Sequence, residues 1–330
     1  MQTGDEHSQN EAAGGPGGRD LAASLEPVLG EACEGRLREV TWFRTDWQRG
    51  GAATGRARWT DATGSRAVLV KMPLHPRELR WLRSLGDADC RHVPEFVAGG
   101  ETLGGYDLAW AVIEFLPHGP LALDWRPRFV DAIAEAVAGF STAASAHPAG
   151  SLGGDEGWPD LIDRSRRKVK ESKPPRAKEW NRLLRECARG LEPLLEEWRG
   201  RTPVEWIHGD LHPGNAMTRR AIEPDGDVPI EVCLIDFAEV RPGHWVEDAI
   251  YLERLHWGRP DRLEGHPPLR SIARARKAAG LDNGGDHPRL AAIRRLLMAA
   301  AAPAYARTEG TPAHLEACLE HMEHSLRTLG

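Results

Sequence analysis

The spacing of apolar and polar residues predicts strands in the first third of the chain and helices after it. Short apolar runs, which are typical of buried strands, occur at 40–43, 56–60, 67–71 and 110–116. Apolar residues then recur at three- and four-residue spacing, as in amphipathic helices, over 129–146, 179–198, 246–257, 289–306 and 312–329. Pro193 lies late in the second of these segments, where we expect it to kink or end the helix.

This pattern predicts an α+β protein with two lobes. A small β-rich lobe is expected over 28–116 and a larger, mainly helical lobe over 117–330. Residues 1–27 begin with a stretch rich in Gly, Gln, Asn and acids, and we predict a disordered tail there.

Two further strand-like runs, 204–207 and 231–235, each lead into a loop that carries acids, and we expect them to form a hairpin. The first loop is His208-Gly209-Asp210-Leu211-His212-Pro213-Gly214-Asn215, here called the HGD loop. The second is Ile235-Asp236-Phe237, here called the IDF segment. Phosphoryl transfer needs an acceptor hydroxyl held in line and Mg²⁺ on the phosphate oxygens.

Three side chains meet these needs. Asp210 can accept the hydroxyl proton or orient the hydroxyl, while Asn215 and Asp236 offer oxygens to Mg²⁺. The alternative is that both acids are ordinary turn residues, since Asp and Gly are common in loops.

The HGD loop matches along its whole length the catalytic loop of the aminoglycoside phosphotransferase and choline kinase-like family, which is related to the protein kinases. The IDF segment resembles the family's metal-binding segment, with Ala238 at the position after it. The segment 241–248 is similar to the one that follows in the family, in which a downstream Asp tends to be structural. The resemblance implies a protein-kinase-like fold and covers about forty residues.

The resemblance also implies a nucleotide site in the first lobe. Lys71, at the end of a strand-like run, would hold the α- and β-phosphates, and Glu78 would position it by an ion pair. Alternatively, Lys71 is a solvated edge residue and Glu78 a surface helix residue. The run that ends in Glu114, Phe115 and Leu116 would be the hinge whose backbone binds the purine edge, or else only a core strand and its turn.

A glycine-rich segment, 48–56, lies between two predicted strands and is a candidate lid over the phosphates. Its spacing is neither Gly-x-Gly-x-x-Gly nor a Walker motif, so a plain hairpin turn is an equal alternative.

Composition narrows the class of protein. The net charge of −6 gives no electrostatic reason to expect nucleic acid, and no apolar run is long enough to span a membrane. Five scattered cysteines without paired spacing suggest reduced thiols and a cytoplasmic protein. The basic run 164–170 is interleaved with acids and favours a solvated helix face.

These features together predict a Mg²⁺-dependent small-molecule kinase that uses ATP or GTP and phosphorylates a hydroxyl acceptor. A protein kinase and an inactive nucleotide-binding scaffold are the alternatives. An aminoglycoside or other antibiotic is a candidate acceptor, and two features bear on it. One is a set of acids that could bind a polycation, Asp155, Glu156, Asp160, Asp163, Glu316, Glu320 and Glu323; the other is a set of tryptophans that could box a quaternary amine, Trp158, Trp180, Trp245 and Trp257.

Overall fold

The computed structural model describes residues 18–43, 52–152, 156–222, 229–305 and 311–330. The chain divides into two compact units. The first contains Met1–Leu79 and Phe96–Phe115, and the second contains Arg80–Glu95 and Leu116–Gly330. In the described part of the chain, no helix combines the length and apolar character needed to cross a membrane.

The boundary between the units differs from the sequence prediction at residues 80–95 and at Leu116, which both fall in the second unit. Residues 80–95, which the apolar pattern assigned to the first lobe, belong to the second unit. Within that unit, Trp81 packs against Phe140 with ring centroids 6.1 Å apart, and the His92 imidazole bonds to the Val232 carbonyl. These long-range contacts are not visible in local sequence.

The first unit is built on a five-stranded antiparallel sheet with the order β1-β2-β3-β5-β4. Inward and outward residues alternate along β2 and β3, so that one face of the hairpin is buried. The strands are β1 (Leu37–Phe43), β2 (Ala53–Asp61), β3 (Gly64–Met72), β4 (Phe96–Gly100) and β5 (Trp110–Glu114).

Helix α1 (Gly18–Ala32) occupies part of the predicted tail, so the prediction of disorder was wrong for residues 18–27. Its apolar residues recur at helical spacing and cover the sheet, with Ala22 and Leu29 buried in the same core as Trp59 and Val70. Polar composition at the start of the chain hid this amphipathic stripe. Residues 1–17 lie outside the described residues, as do 48–51 of the glycine-rich segment.

Helix α2 (Pro76–Asp87) follows β3, and the second unit then contains eight further helices in its described part. They are α3 (Phe129–Ala144), α4 (Trp158–Ser172), α5 (Ala177–Arg189), α6 (Leu191–Arg199), α7 (Val246–Arg254), α8 (Pro268–Ala278), α9 (His287–Ala301) and α10 (Pro312–Leu329). Helix α4 carries the basic run with Ser165 and Val169 buried and Arg167 and Lys168 exposed, which confirms the solvated face.

The predicted helix over 179–198 is two helices, and the break is at Gly190 rather than at Pro193. Gly190 leaves helical geometry between α5 and α6. Pro193 lies in the first turn of α6, where a missing backbone N–H costs nothing because those groups have no partner within the helix.

The two strand-like runs beside the predicted site do not pair with each other, so the predicted hairpin was wrong. Strand β6 (Glu205–Ile207) pairs with β9 (Arg241–Gly243), and β7 (Ala216–Thr218) pairs with β8 (Val232–Leu234). Three-residue strands have little pattern of their own, and their partners are set by the turns between them. Two 3₁₀ helices, Leu121–Asp124 and Pro213–Asn215, belong to the same part of the second unit as these two-stranded sheets.

Gly139, inside α3, gives a test of the packing between α3 and His92. A Cβ at this position would overlap the ring of buried His92, which the Val232 carbonyl holds through a 3.1 Å hydrogen bond. We expect Gly139→Ala to lower the free energy of unfolding, measured by urea denaturation, by about 1–3 kcal/mol.

Gly30 in α1 is the matched control, because a Cβ there meets nothing within 4 Å. Gly30→Ala should instead raise the free energy of unfolding by about 0.5–1 kcal/mol through helix propensity. Equal effects of the two substitutions would contradict the packing described for α3.

Candidate active site

The HGD loop begins at the end of β6 with a turn that requires glycine. Gly209 has φ +80°, and a Cβ at this position would overlap the backbone carbonyl of Glu239. The loop ends in the 3₁₀ helix at Pro213–Asn215, where the Gly214 N–H donates to His212 Nδ1 at 3.0 Å. These turns fix the direction of the side chain at Asp210.

The carboxylate of Asp210 is held on both oxygens. The Tyr251 phenol donates to Oδ1 at 2.9 Å, and the Asn215 amide donates to Oδ2 at 3.2 Å. His212 Nε2 lies 3.5 Å from the same Oδ2. The hydrogen bond from His212 outweighs partial burial and, with that from Tyr251, lowers the pKa of Asp210 to about 2. The carboxylate is therefore ionised at neutral pH and directed by three neighbours.

The backbone fixes the tautomer of His212. Because Nδ1 accepts the Gly214 N–H, a neutral ring carries its proton on Nε2, the atom that faces Asp210. His212 thus positions the carboxylate of Asp210.

A second carboxylate, Asp248 at the start of α7, holds the backbone of the HGD loop. Its Oδ2 accepts the N–H of His208 at 2.8 Å, and its Oδ1 accepts the N–H of Gly209 at 2.9 Å. Burial raises the pKa of Asp248, and the two N–H groups oppose that rise. This is the downstream Asp for which the family resemblance implied a structural role.

His208 links the HGD loop to the IDF segment. Its ring is fully buried, with Nδ1 accepting the Asp210 N–H at 3.3 Å and Nε2 donating to the Ile235 carbonyl at 3.1 Å. Burial lowers the pKa of His208, which keeps the ring neutral. A second link runs from the Ile235 N–H to the Asn215 carbonyl at 3.0 Å. Ile235, the residue before Asp236, is therefore hydrogen-bonded through both its backbone N–H and its carbonyl.

Asn215 and Asp236 have donor sets that fit a magnesium ion. The Asn215 side-chain nitrogen donates to the Asp210 carbonyl at 3.0 Å as well as to its carboxylate, which leaves the amide oxygen as the ligand atom. Asp236 adopts a left-handed backbone conformation with φ +66° two residues after the end of buried β8. An amide oxygen and a carboxylate suit Mg²⁺, which usually takes few protein ligands together with phosphate oxygens.

Lys71 and Glu78 form an ion pair inside the first unit. The Lys71 ammonium lies 2.8 Å from both carboxylate oxygens of Glu78, and the Glu78 side chain is 5% exposed. Lys71 extends from β3 opposite Thr54 of β2, and Glu78 lies in the first turn of α2. The ion pair expected from the resemblance is present.

The predicted hinge lies at the end of β5 and at the boundary between the units. Glu114 is the last residue of the strand and is opposite Val68 of β3. The Arg56 guanidinium lies 4.6 Å from the centre of the Phe115 ring, and Leu116 is buried in the second unit.

The acids proposed as a polycation site are largely paired with arginine. Glu156 bonds to Arg294, Asp163 to Arg166, Glu316 to Arg176 and Glu323 to Arg182. Asp160 and Glu320 are exposed, and Asp155 lies outside the described residues. The four tryptophans considered for an aromatic box, Trp158, Trp180, Trp245 and Trp257, are all buried in the core.

Tyr251 is the contact that the sequence analysis missed. It lies three residues after Asp248 on α7, one turn further along the same helix face. A tyrosine three residues after Asp248, the residue that holds the loop, was the sequence signal from which this contact could have been predicted. Asp248 and Tyr251 together connect one helix face to both the backbone and the carboxylate of the HGD loop.

Asp248→Asn tests this connection. An amide has only one accepting oxygen, so one of the two loop N–H groups would face an NH₂ group. We expect the free energy of unfolding to fall by about 1–3 kcal/mol. Amide hydrogen exchange at His208 and Gly209 should also become faster.

Asp61→Asn is the control, because Asp61 also accepts hydrogen bonds on both oxygens, from the Thr63 N–H at 2.8 Å and the Trp59 indole at 3.1 Å, but does so in the first unit. This substitution should leave amide exchange at His208 and Gly209 unchanged. Unaltered exchange at Gly209 in Asp248→Asn would rule out the loop-holding role.

Comparison with known proteins places the chain in a family. The model of the phosphotransferase enzyme family matches residues 48–293. A search among curated proteins gives no match.

Two solved structures show the fold. One is an aminoglycoside phosphotransferase from Alicyclobacillus acidocaldarius, with 18% identity, coverage of 98% of this chain and 96% of the other, and a TM-score of 0.56. A protein of Ralstonia eutropha JMP134, provisionally assigned to the same enzymes, has 15% identity, coverage of 93% and 98%, and a TM-score of 0.56. The predicted α+β, protein-kinase-like fold is thereby confirmed. Because the family model spans most of the chain, this protein belongs to the phosphotransferase enzyme family and is a small-molecule kinase.

Proposed function

We propose that the protein transfers the γ-phosphoryl group of ATP or GTP to a hydroxyl of a small molecule, with Mg²⁺, in the cytoplasm. The observation that carries this proposal is the ionised carboxylate of Asp210, held by Tyr251, Asn215 and His212. In a loose phosphoryl-transfer transition state, catalysis consists mainly of positioning and charge stabilisation.

Asp210 orients the acceptor hydroxyl and receives its proton. A carboxylate with a pKa of about 2 is a weak base, so the proton moves late, when the oxygen is already bonding to phosphorus. Orientation is therefore the main contribution of Asp210, and the contacts to both of its oxygens support that role.

The nucleotide-binding residues in this proposal are those that the family resemblance implies. Lys71, fixed by Glu78, pairs with the α- and β-phosphates, and the backbone of Glu114, Phe115 and Leu116 binds the purine edge. Asn215 and Asp236 bind Mg²⁺, which when bound neutralises charge on the phosphate oxygens.

The class of acceptor depends on the charge of the surface that would bind it. The names of the two similar structures suggest an aminoglycoside. Polycations favour acidic pockets, however, and four of the candidate acids of this chain are already paired with arginine. Aminoglycosides and other antibiotics are therefore included among the acceptors tested in the assay below.

Asp210→Ala tests the central assignment. We expect turnover to fall by about a thousandfold or more, because the hydroxyl loses both orientation and proton acceptor. Nucleotide binding, measured by titration calorimetry, should change little. The assay is Mg²⁺-dependent release of ADP or GDP with aminoglycosides, other antibiotics, choline-like amines and small sugars.

Asp87→Ala serves as control, since that residue is exposed at the end of α2 and has no role in the proposed mechanism. Near-full activity in Asp210→Ala would refute the mechanism. Nucleotide binding by the wild type without turnover of any acceptor would favour the inactive scaffold, and phosphorylation of a protein substrate would favour a protein kinase.

Tyr251→Phe gives a prediction for pH dependence. The phenol donates to the ionised carboxylate, so its removal should raise the pKa of Asp210 from about 2. Turnover requires the carboxylate, and the acidic limb of the kcat profile should therefore move to higher pH. At neutral pH the group remains ionised, and kcat should fall only a few-fold through looser positioning.

Tyr106→Phe is the control, because Tyr106 is an exposed residue of the first unit. Its pH profile should match that of the wild type. An acidic limb that stays in place in Tyr251→Phe would show that this hydrogen bond does not act on the titrating group.

A further inference from the structure

Three large hydrophobic side chains are markedly exposed in the described part of the chain: Tyr106 at 65%, Leu123 at 71% and Leu255 at 43%. Single exposed apolar residues are common on protein surfaces and need no explanation. Leu123 and Leu255, however, lie on the two elements that flank the HGD loop within the second unit.

Leu123 lies in the 3₁₀ helix Leu121–Asp124, which packs against the 3₁₀ helix that ends in Asn215. Leu121 anchors this element in the core at 3% exposure, while Leu123 remains in solvent. The chain just before this 3₁₀ helix is hydrogen-bonded to strand β7, because the Thr218 N–H donates to the His118 carbonyl at 2.8 Å.

Leu255 ends α7 one turn after Tyr251, and four-residue spacing places both on the same helix face. Tyr251 reaches Asp210 from this face through its 2.9 Å hydrogen bond. The face therefore begins at the carboxylate and continues to an exposed apolar side chain.

An aromatic stack joins the two elements. Trp125, two residues after Leu123, lies parallel to the ring of His256, the neighbour of Leu255, with centroids 4.9 Å apart and planes at 20°. Trp125 Nε1 donates to the Arg262 carbonyl at 2.8 Å, so its polar group is satisfied. Burial, together with Arg262 and Arg259, lowers the pKa of His256 to about 4, which keeps this ring uncharged at neutral pH.

We infer that Leu123, Trp125, Tyr251 and Leu255 form an apolar shelf that receives the body of the acceptor, and that the acceptor is a hydroxyl compound with an apolar face. This inference rests on the proposed function and adds the class of substrate. The hydroxyl reaches Asp210 at the Tyr251 end, and the apolar body covers the leucines, which otherwise remain in water.

The charges around the shelf fit an apolar acceptor better than a polycation. Asp124 is paired with Arg126 at 2.6 Å, and Glu253 is paired with Arg295 at 2.6 Å. Two acids adjacent in sequence to shelf residues are thus already paired with guanidinium groups. Burial of apolar area would then supply most of the affinity.

The first test measures binding without turnover. The probe is N-phenyl-1-naphthylamine, an uncharged apolar fluorophore, titrated into the full-length protein. We expect saturable binding that weakens at least tenfold in Leu123→Asn/Leu255→Asn. The double variant Leu123→Met/Leu255→Met, which keeps the apolar character, should bind as the wild type does, as should Tyr106→Asn in the first unit.

The second test measures turnover with methyl, butyl and hexyl glucosides, which share their hydroxyls and differ only in the apolar chain. We expect kcat/KM to rise with chain length and the hexyl compound to lose at least tenfold in the Asn double variant. Accepted compounds should also displace the fluorophore.

The outcomes separate this inference from the proposed function. Unchanged probe binding in the Asn double variant, or no saturable binding by the wild type, would overturn the shelf. Phosphorylation of polycations with kcat/KM unaltered by that variant would do the same while supporting the phosphotransferase reaction. Probe binding at the leucines without turnover of any acceptor would instead count against the reaction alone. Circular dichroism and thermal unfolding of the Asn double variant show whether it folds as the wild type does, so that a loss can be assigned to the surface.

Discussion

The geometry of the HGD loop depends on one buried carboxylate. Asp248 has been removed from water, which is costly for an anion, and the cost is offset because each of its oxygens accepts a backbone N–H. Those N–H groups belong to consecutive residues, His208 and Gly209, so the loop is held at two adjacent points. The direction of Asp210, the next residue, follows from that anchorage.

Helix α7 and the His208 ring bring the separate motifs into one arrangement. The helix supplies Asp248 for the loop backbone and Tyr251 for the Asp210 side chain. The ring then bonds to the Ile235 carbonyl, immediately before Asp236. Neighbouring Glu247 reinforces the start of α7: burial would raise its pKa, but Arg294, Arg241 and Arg201 outweigh burial and lower it to about 2. The site is therefore built from buried polar contacts rather than from apolar packing.

The local pattern of apolar and polar residues was sufficient to predict those strands and helices in which buried positions recur at regular spacing. Four of the five strands of the first unit, the positions of most helices and the Lys71–Glu78 pair could be predicted from sequence and motif, whereas the short strand β4 was missed. The pairing of β6 with β9 could not, because three-residue strands take their partners from distant contacts. Helix α1 was hidden by polar composition, and the contact of Tyr251 with Asp210 was missed although its spacing from Asp248 offered a signal.

The lack of space for a side chain at Gly209 limits how phosphorylation could regulate the enzyme. Protein kinases usually carry arginine between the His and Asp of this loop, and arginines in such enzymes can read a phosphate added to the activation loop. Here the Glu239 carbonyl occupies the space that any side chain at position 209 would need. The backbone itself excludes an arginine at this position, so phosphorylation cannot switch this loop by that route.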